Sequence, residues 1–267
     1  MQIKKITIFG GYGKSGEKDK VEQVTFKMGQ VVSIVGPTGS GKTTFIEDIE
    51  LYANENTPSM RKVLINDTAA TEDFSSNPSD HPIALITQHT NFLSDMQVKK
   101  FLMTHASIRG SSSIETIVEE TLDFANQLTG EAIDVNSAMT ELSGGQTRAL
   151  LIADAVIIGN SPIILLDEIE NAGINRTRAL ELLKRYEKIF IFVTHDPRIA
   201  LLSDLRIIMK NGAMQKILVT DDEERRVVEE IKKMDDFLLE LRTHIRDGEK
   251  LTEQHVENRL RDLGYLS

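Results

Sequence analysis

The residues Gly36-Pro37-Thr38-Gly39-Ser40-Gly41-Lys42-Thr43-Thr44 have types and a spacing suited to gripping phosphate. Their glycines let successive backbone N–H groups close around phosphate oxygens, and a helix starting at the end of the turn adds the positive end of its dipole. Lys42 supplies an ammonium for the outer phosphates and Thr43 a hydroxyl for Mg2+, so the chemistry expected is that of a nucleotide. In Leu142-Ser143-Gly144-Gly145-Gln146, Ser143 is well placed as a helix N-cap. There Gly144 and Gly145 leave N–H groups unobstructed, which makes a second anion-binding helix start. The run 163–166 ends in Asp167 and Glu168. That places two carboxylates at the carboxyl end of a buried strand, where open α/β sheets hold their ligands. Two acids at a strand end are also common in strand-to-loop junctions, and it is their register with the two glycine motifs that marks them as functional.

The elements that must position these groups follow from apolar patterning. Segments 3–9 and 21–26 read as strands separated by a polar loop, and 31–35 is a buried strand feeding the glycine-rich turn. A helix is expected over 43–53. The short apolar runs 163–166, 189–193 and 205–209 alternate with helical segments, which is the pattern of a parallel sheet with crossover helices. Between Gln88 and Leu142 the pattern is mostly helical, at 98–108 and 114–128, and reads as a helical subdomain inserted in the core. From Asp221 onward charge is dense, with Val227, Val228, Ile231, Met234, Phe237, Leu238, Leu241 and Ile245 at helical spacing. Those positions suit packing against the core, or a contact with a second copy or a partner.

Composition sets outer bounds. The length of 267 residues suits one substantial α/β core with a smaller appendage. A net charge of −10 gives no strong nucleic-acid signal, because a sequence-independent grip on phosphates needs a concentrated basic face. No apolar run reaches the roughly 18 residues of a membrane span, and Met1-Gln2-Ile3-Lys4-Lys5 is not followed by a signal-peptide core, so a cytoplasmic chain is expected. With no cysteine, disulfides, thiolate metal sites and thiol nucleophiles are excluded.

The motifs, in this order, resemble those of an ATP-binding cassette (ABC) nucleotide-binding domain, over about residues 3–219. The resemblance implies an α/β fold: a P-loop nucleotide-hydrolase core with a mainly parallel sheet, an N-terminal antiparallel β subdomain and an inserted helical subdomain carrying the signature. A C-terminal helical extension would follow. The corresponding division is an ATPase domain at 1–220, its helical subdomain at about 89–145, and a charged extension at 221–267. ATP and Mg2+ are the implied cofactors. Asp167 resembles the carboxylate that supports Mg2+, and Glu168 the catalytic glutamate that polarises the attacking water. Gln88 resembles the glutamine that reaches Mg2+ and water. His195, before Asp196-Pro197, resembles the switch histidine that contacts the γ-phosphate. Tyr12 occupies the place of the adenine-stacking aromatic, with Phe9 the competing choice. His89 and His105 match no family role and read as surface or core histidines.

In this family the signature lies on the far side of the protomer from its own phosphate loop. Ser143 to Gln146 would therefore complete the site of a second, antiparallel copy, in a homodimer sandwiching two ATP molecules. After Glu168 the family usually continues Pro-Thr and then Ser-Ala-Leu-Asp, whereas this chain reads Ile169-Glu170-Asn171-Ala172-Gly173-Ile174-Asn175. The leading expectation is the ATP-binding subunit of an ABC transporter, its 90–95 loop engaging a transmembrane permease and holding the subunit peripherally at the inner face of the membrane. The alternatives are a soluble ATPase that remodels or activates a non-transport protein partner, in metalloenzyme maturation or nucleic-acid maintenance, and an inactive scaffold.

Overall fold

The structure, a computed structural model, describes residues 2–69, 81–87, 89–90, 92, 95–129, 131–168 and 176–266, apart from the side chains of residues 176–178. It divides into two compact units, Met1–Val219 and Thr220–Ser267.

The first unit is built on two sheets. Strands β1 (Lys5–Phe9), β2 (Gln23–Lys27), β4 (Lys62–Ile65) and β5 (Thr68–Ala69) form an antiparallel sheet in the order β2-β1-β4-β5. Strands β3 (Val31–Val35), β6 (Ile83–Ile86), β7 (Ile163–Asp167), β8 (Ile189–Val193), β9 (Leu205–Lys210) and β10 (Ala213–Val219) form a second, in the order β10-β9-β3-β8-β7-β6. All pairings in it are parallel except β9 with β10. The expected α/β fold with a mainly parallel sheet is therefore present.

The apolar strands β3, β7 and β8 are buried on both faces, and the twofold alternation of their side chains divides two cores. Ile164, Leu166, Phe190 and Phe192 join one core with α2 (Val98–Ile108), α3 (Ile114–Leu128), α4 (Gly144–Val156) and α5 (Arg176–Leu183). Ile163, Leu165, Ile189 and Ile191 join the other with Phe45, Ile46 and Ile49 of α1 (Lys42–Glu50) and Ile6, Ile8, Val63 and Ile65 of the antiparallel sheet. The phosphate loop thus sits between a strand and a helix whose apolar faces are both locked into one core.

Helix α1 ends at Glu50 rather than at the expected residue 53. Leu51 caps it with its N–H on the Glu47 carbonyl, and Tyr52 turns the chain with φ 50°. The strand expected at 21–26 runs from Gln23 to Lys27, and just before it the Gly10 N–H donates to the Glu22 carbonyl across the loop mouth, at 2.8 Å.

In the second unit, α7 (Asp222–Arg246) starts under a side-chain cap from Asp221 to the Glu224 N–H, and α8 (Glu253–Asp262) under one from Thr252 to the His255 N–H. Contacts between Glu230 and Tyr265, Glu240 and Arg259, and His244 and His255 run in opposite chain order, so the two helices form an antiparallel hairpin. In the first unit, the short α6 (Pro197–Leu202) follows β8.

Candidate active site

The phosphate loop starts from the end of β3. Gly36 leaves the strand where a β-carbon would lie 2.3 Å from the Met209 carbonyl oxygen of β9, so only glycine fits the close approach. Gly41, the N-cap of α1, has φ 89° and lies against Gly212, where an added β-carbon would come within 2.6 Å of the Gly212 Cα. Inside the loop the Ser40 N–H donates to the Pro37 carbonyl at 3.1 Å. Lys42 folds back over it, its Nζ donating to the Gly36 carbonyl at 3.0 Å and the Pro37 carbonyl at 3.3 Å. The ammonium is thereby held against the carbonyls of its own loop.

A cleft of about 200 Å3 opens over this loop, lined by Lys14, Thr38 to Thr44, Glu168, Val193 and His195. Glu168 follows β7 and His195 follows β8, the two strands next along the sheet from β3. The Glu168 N–H donates to the Val193 carbonyl at 3.0 Å, and its backbone takes φ 49°, a left-handed conformation that costs a non-glycine residue on the order of 1 kcal/mol. This turn brings a Glu168 carboxylate oxygen to 3.5 Å from His195 Nε2, with both side chains partly open to the cleft. Asp196 holds the histidine's loop by capping α6, accepting from the Arg198 N–H at 2.7 Å.

The other expected residues are placed as follows. Asp167 is the last residue of β7, half-buried and in register with Val193 of β8. Gln88 and the segment 169–175 lie outside the described residues, as do residues 91, 93 and 94 of the 90–95 loop. Ser143 caps α4: its hydroxyl accepts from the Gln146 N–H at 3.3 Å while the Gln146 side-chain oxygen accepts from the Ser143 N–H at 3.0 Å, a reciprocal capping box. Gly144 has nothing within 4 Å of where a β-carbon would stand, so this helix start faces open space. None of Ser143 to Gln146 lines the cleft over the phosphate loop. Tyr12 is 47% exposed, its N–H fixed on the Ser59 carbonyl at 2.7 Å. His105 is half-buried with Nδ1 at 2.7 Å from an Asp154 carboxylate oxygen.

A buried ion network that carries no local sequence signature holds the loop before β2 against the phosphate loop. Arg61 is 1% exposed and grips both carboxylate oxygens of Asp19, at 2.9 and 3.0 Å, and Asp48 of α1 at 3.1 Å. Its guanidinium also donates to the Gly212 carbonyl at 2.7 Å and lies 5.2 Å over the Phe45 ring. Gly212 in turn donates its N–H to the Ser40 carbonyl, and Lys14 Nζ donates to the Gly39 carbonyl. These partners are 42, 13 and 151 residues away from Arg61 in sequence, so no periodicity or motif could reveal them.

A larger depression of about 730 Å3 is lined by Lys4, Lys5, Lys27, Pro162 and Lys188, among others. Pro162 and Lys188 immediately precede β7 and β8, which puts this depression at the amino ends of the parallel strands. Sheets of this kind hold their ligands at the carboxyl ends, and the smaller cleft is the one with the reactive groups.

A parallel sheet that delivers a glycine-rich anion loop from one strand, and a histidine and a carboxylate from the next two, defines a P-loop nucleotide hydrolase. Residues 20–171 match the family described as ABC transporter. A protein of Methanocaldococcus jannaschii, named as an uncharacterized ABC transporter ATP-binding protein, is 48% identical over 96% of this chain and 98% of its own length. The spermidine/putrescine import ATP-binding protein of Bacteroides fragilis is 30% identical over 76% of this chain and 44% of its own length. Among solved structures, a dimeric ATP-binding cassette in a post-hydrolysis state with ADP and phosphate superposes with TM-score 0.60 and 22% identity, over 81% of this chain and 99% of that one. The chain belongs to the ABC transporter family, as one of its ATP-binding and ATP-hydrolysing cassettes.

Proposed function

We propose that the chain acts as the ATP-binding subunit of an ABC transporter and hydrolyses ATP in a sandwich of two copies. The single observation that carries the hydrolytic part is the approach of the Glu168 carboxylate to His195 Nε2, 3.5 Å, over the phosphate loop. Phosphoryl transfer needs positioning and charge neutralisation more than covalent help, and the cleft supplies both. The loop N–H groups from Gly36 to Thr44 wrap the phosphates, and Lys42 exchanges its carbonyl partners for the outer phosphate oxygens. Glu168 holds and polarises the attacking water, and His195 orients the γ-phosphate. Tyr12 stacks on the adenine.

Thr43 and Asp167 offer oxygen donors only, and Thr43 lines the cleft itself, a donor set that fits a hard cation such as Mg2+. With Gln88 they would hold it, and when bound it neutralises charge on the outer phosphates. The second copy enters through Ser143 to Gln146. This capped helix start faces open space and does not line the cleft of its own chain, so the N–H groups of Gly144 and Gly145 suit the γ-phosphate bound by a partner copy. No helix among the described residues is long and apolar enough to cross a membrane. Attachment to the inner face of the membrane therefore falls to a separate permease, engaged through the helical subdomain and the 90–95 loop.

Replacing Glu168 by Gln keeps the size and removes the charge. Turnover should fall about 100-fold or more, while the variant accumulates as an ATP-bound dimer on gel filtration. Turnover within a few-fold of the parent would remove Glu168 from the mechanism. Recovery of a multispanning membrane protein with the trapped variant supports the transport role, and recovery of a purely soluble partner counts against it.

A further inference from the structure

The hairpin of the second unit gathers Glu240, His244 and His255, with one donor atom of each within 4.8 Å of the others. Glu240 and His244 are one turn apart on α7 and so share a face of that helix, and His255 comes from the first turn of α8. We propose that these three side chains bind a borderline divalent cation of the zinc type, and that this ion pins α7 to α8.

Three features of the hairpin support a metal rather than a plain polar contact. First, His255 Nε2 is shielded from water and has no hydrogen-bond partner among the described residues, a state that is unfavourable for a buried polar atom unless something binds it. Second, His244 Nδ1 is bonded to a carboxylate oxygen of Glu249. A carboxylate on one ring nitrogen fixes the tautomer that leaves the other nitrogen's lone pair free, the arrangement found behind metal-binding histidines. The Glu249 N–H on the His244 carbonyl, at 2.9 Å, holds this pair in place across the turn at Gly248. Third, Arg259 Nε engages only Oε2 of Glu240, at 2.8 Å, and so orients the carboxylate while leaving its second oxygen available.

Two imidazoles and a carboxylate match the nitrogen and oxygen ligands of zinc, whose tetrahedral shell puts donors about 3.3 Å apart. The present spacing reaches that with small side-chain rotations, since the His244 and His255 rings are already edge to face with centroids 4.6 Å apart. Three protein ligands leave one position for water. The ion is structural in this reading, because a hairpin with few buried side chains gains from a link between its helices.

The test uses the full-length protein, without nucleotide, titrated with Zn2+ against a chromogenic chelator and with Co2+ followed by visible absorption. One tight equivalent per chain is expected, with a tetrahedral Co2+ spectrum. His255→Gln, which keeps the helix and the volume, should weaken Zn2+ at least 100-fold. Glu249→Gln, which touches no metal, should weaken it about 10- to 100-fold. His195→Ala should keep the full affinity, separating this site from the nucleotide cleft. No tight equivalent in the parent protein, or equal affinity and an unchanged Co2+ spectrum in His255→Gln, would overturn the proposal.

Discussion

Lys188 shows what one buried charge does to the protein. It stands just before β8, 6% exposed, its Nζ donating to the Asn160 side-chain oxygen at 2.7 Å, and burial lowers its pKa to about 8. Between that pH and the ordinary lysine value, the unfolded chain keeps a proton that the folded chain has released. Unfolding then takes up a proton, so this group makes stability rise with pH across the window, while below about pH 8 both states are charged and its contribution is constant. The urea midpoint of the parent relative to Lys188→Met should therefore climb between pH 7 and pH 10. A difference that stays flat with pH would mean that the buried ammonium never loses its proton. Asn160 meets this lysine from the turn before β7 with φ 45°, so the contact constrains a backbone conformation as well as a side chain.

At the scale of elements, the loop before β2, helix α1 and the β9–β10 turn are joined through Arg61. Replacing Arg61 by Met would leave Asp19 and Asp48 buried without their cation, and stability should drop by about 3–5 kcal/mol in chemical denaturation. A loss below about 1 kcal/mol would show that the two carboxylates find other partners. This network also marks the boundary of what sequence patterning reveals. Strands β3, β7 and β8 were legible because a strand covered on both faces is a continuous apolar run. Strand β10 was not, because Ala213–Val219 lies at the sheet edge, mixes Gln215 and Lys216 with apolar residues, and carries an irregularity in its register with β9. Helix α8 falls within the helical extension expected at 221–267, but its own bounds were not legible, because none of its residues is buried and so no apolar stripe marks it. The residues of the cleft stand in short contiguous motifs, since phosphate is gripped by consecutive backbone groups. The groups that brace those motifs, Arg61, Asp19, Asp48 and Lys14, meet only after folding.

Across the whole molecule, both hydrophobic cores are drawn entirely from residues of Met1–Val219, whereas Val228 is the one buried apolar side chain described in Thr220–Ser267. The first unit should then fold without the second. A chain ending at Val219 is expected to unfold in a single cooperative transition, with a midpoint within a few degrees of the parent by calorimetry. Loss of that transition would place part of the core's support beyond Val219. The exposed Val227, Met234, Leu238, Leu239 and Ile245 of α7 make the second unit the more sensitive to whatever binds it.

The stitching of the loop before β2 bears on how long spent nucleotide stays. Gly11 is tied to Asp19, Tyr12 to Ser59, and Lys14 to Asn211 and Gly39, so the wall beside the phosphate loop is fastened at both its start and its middle. A wall so fastened does not swing as a gate. In the proposed sandwich of two copies, ADP would then leave through the face that the other copy covers. Its residence time would become that of the pair itself, so that the parting of two chains, rather than a flap within one, would set the clock of the cycle.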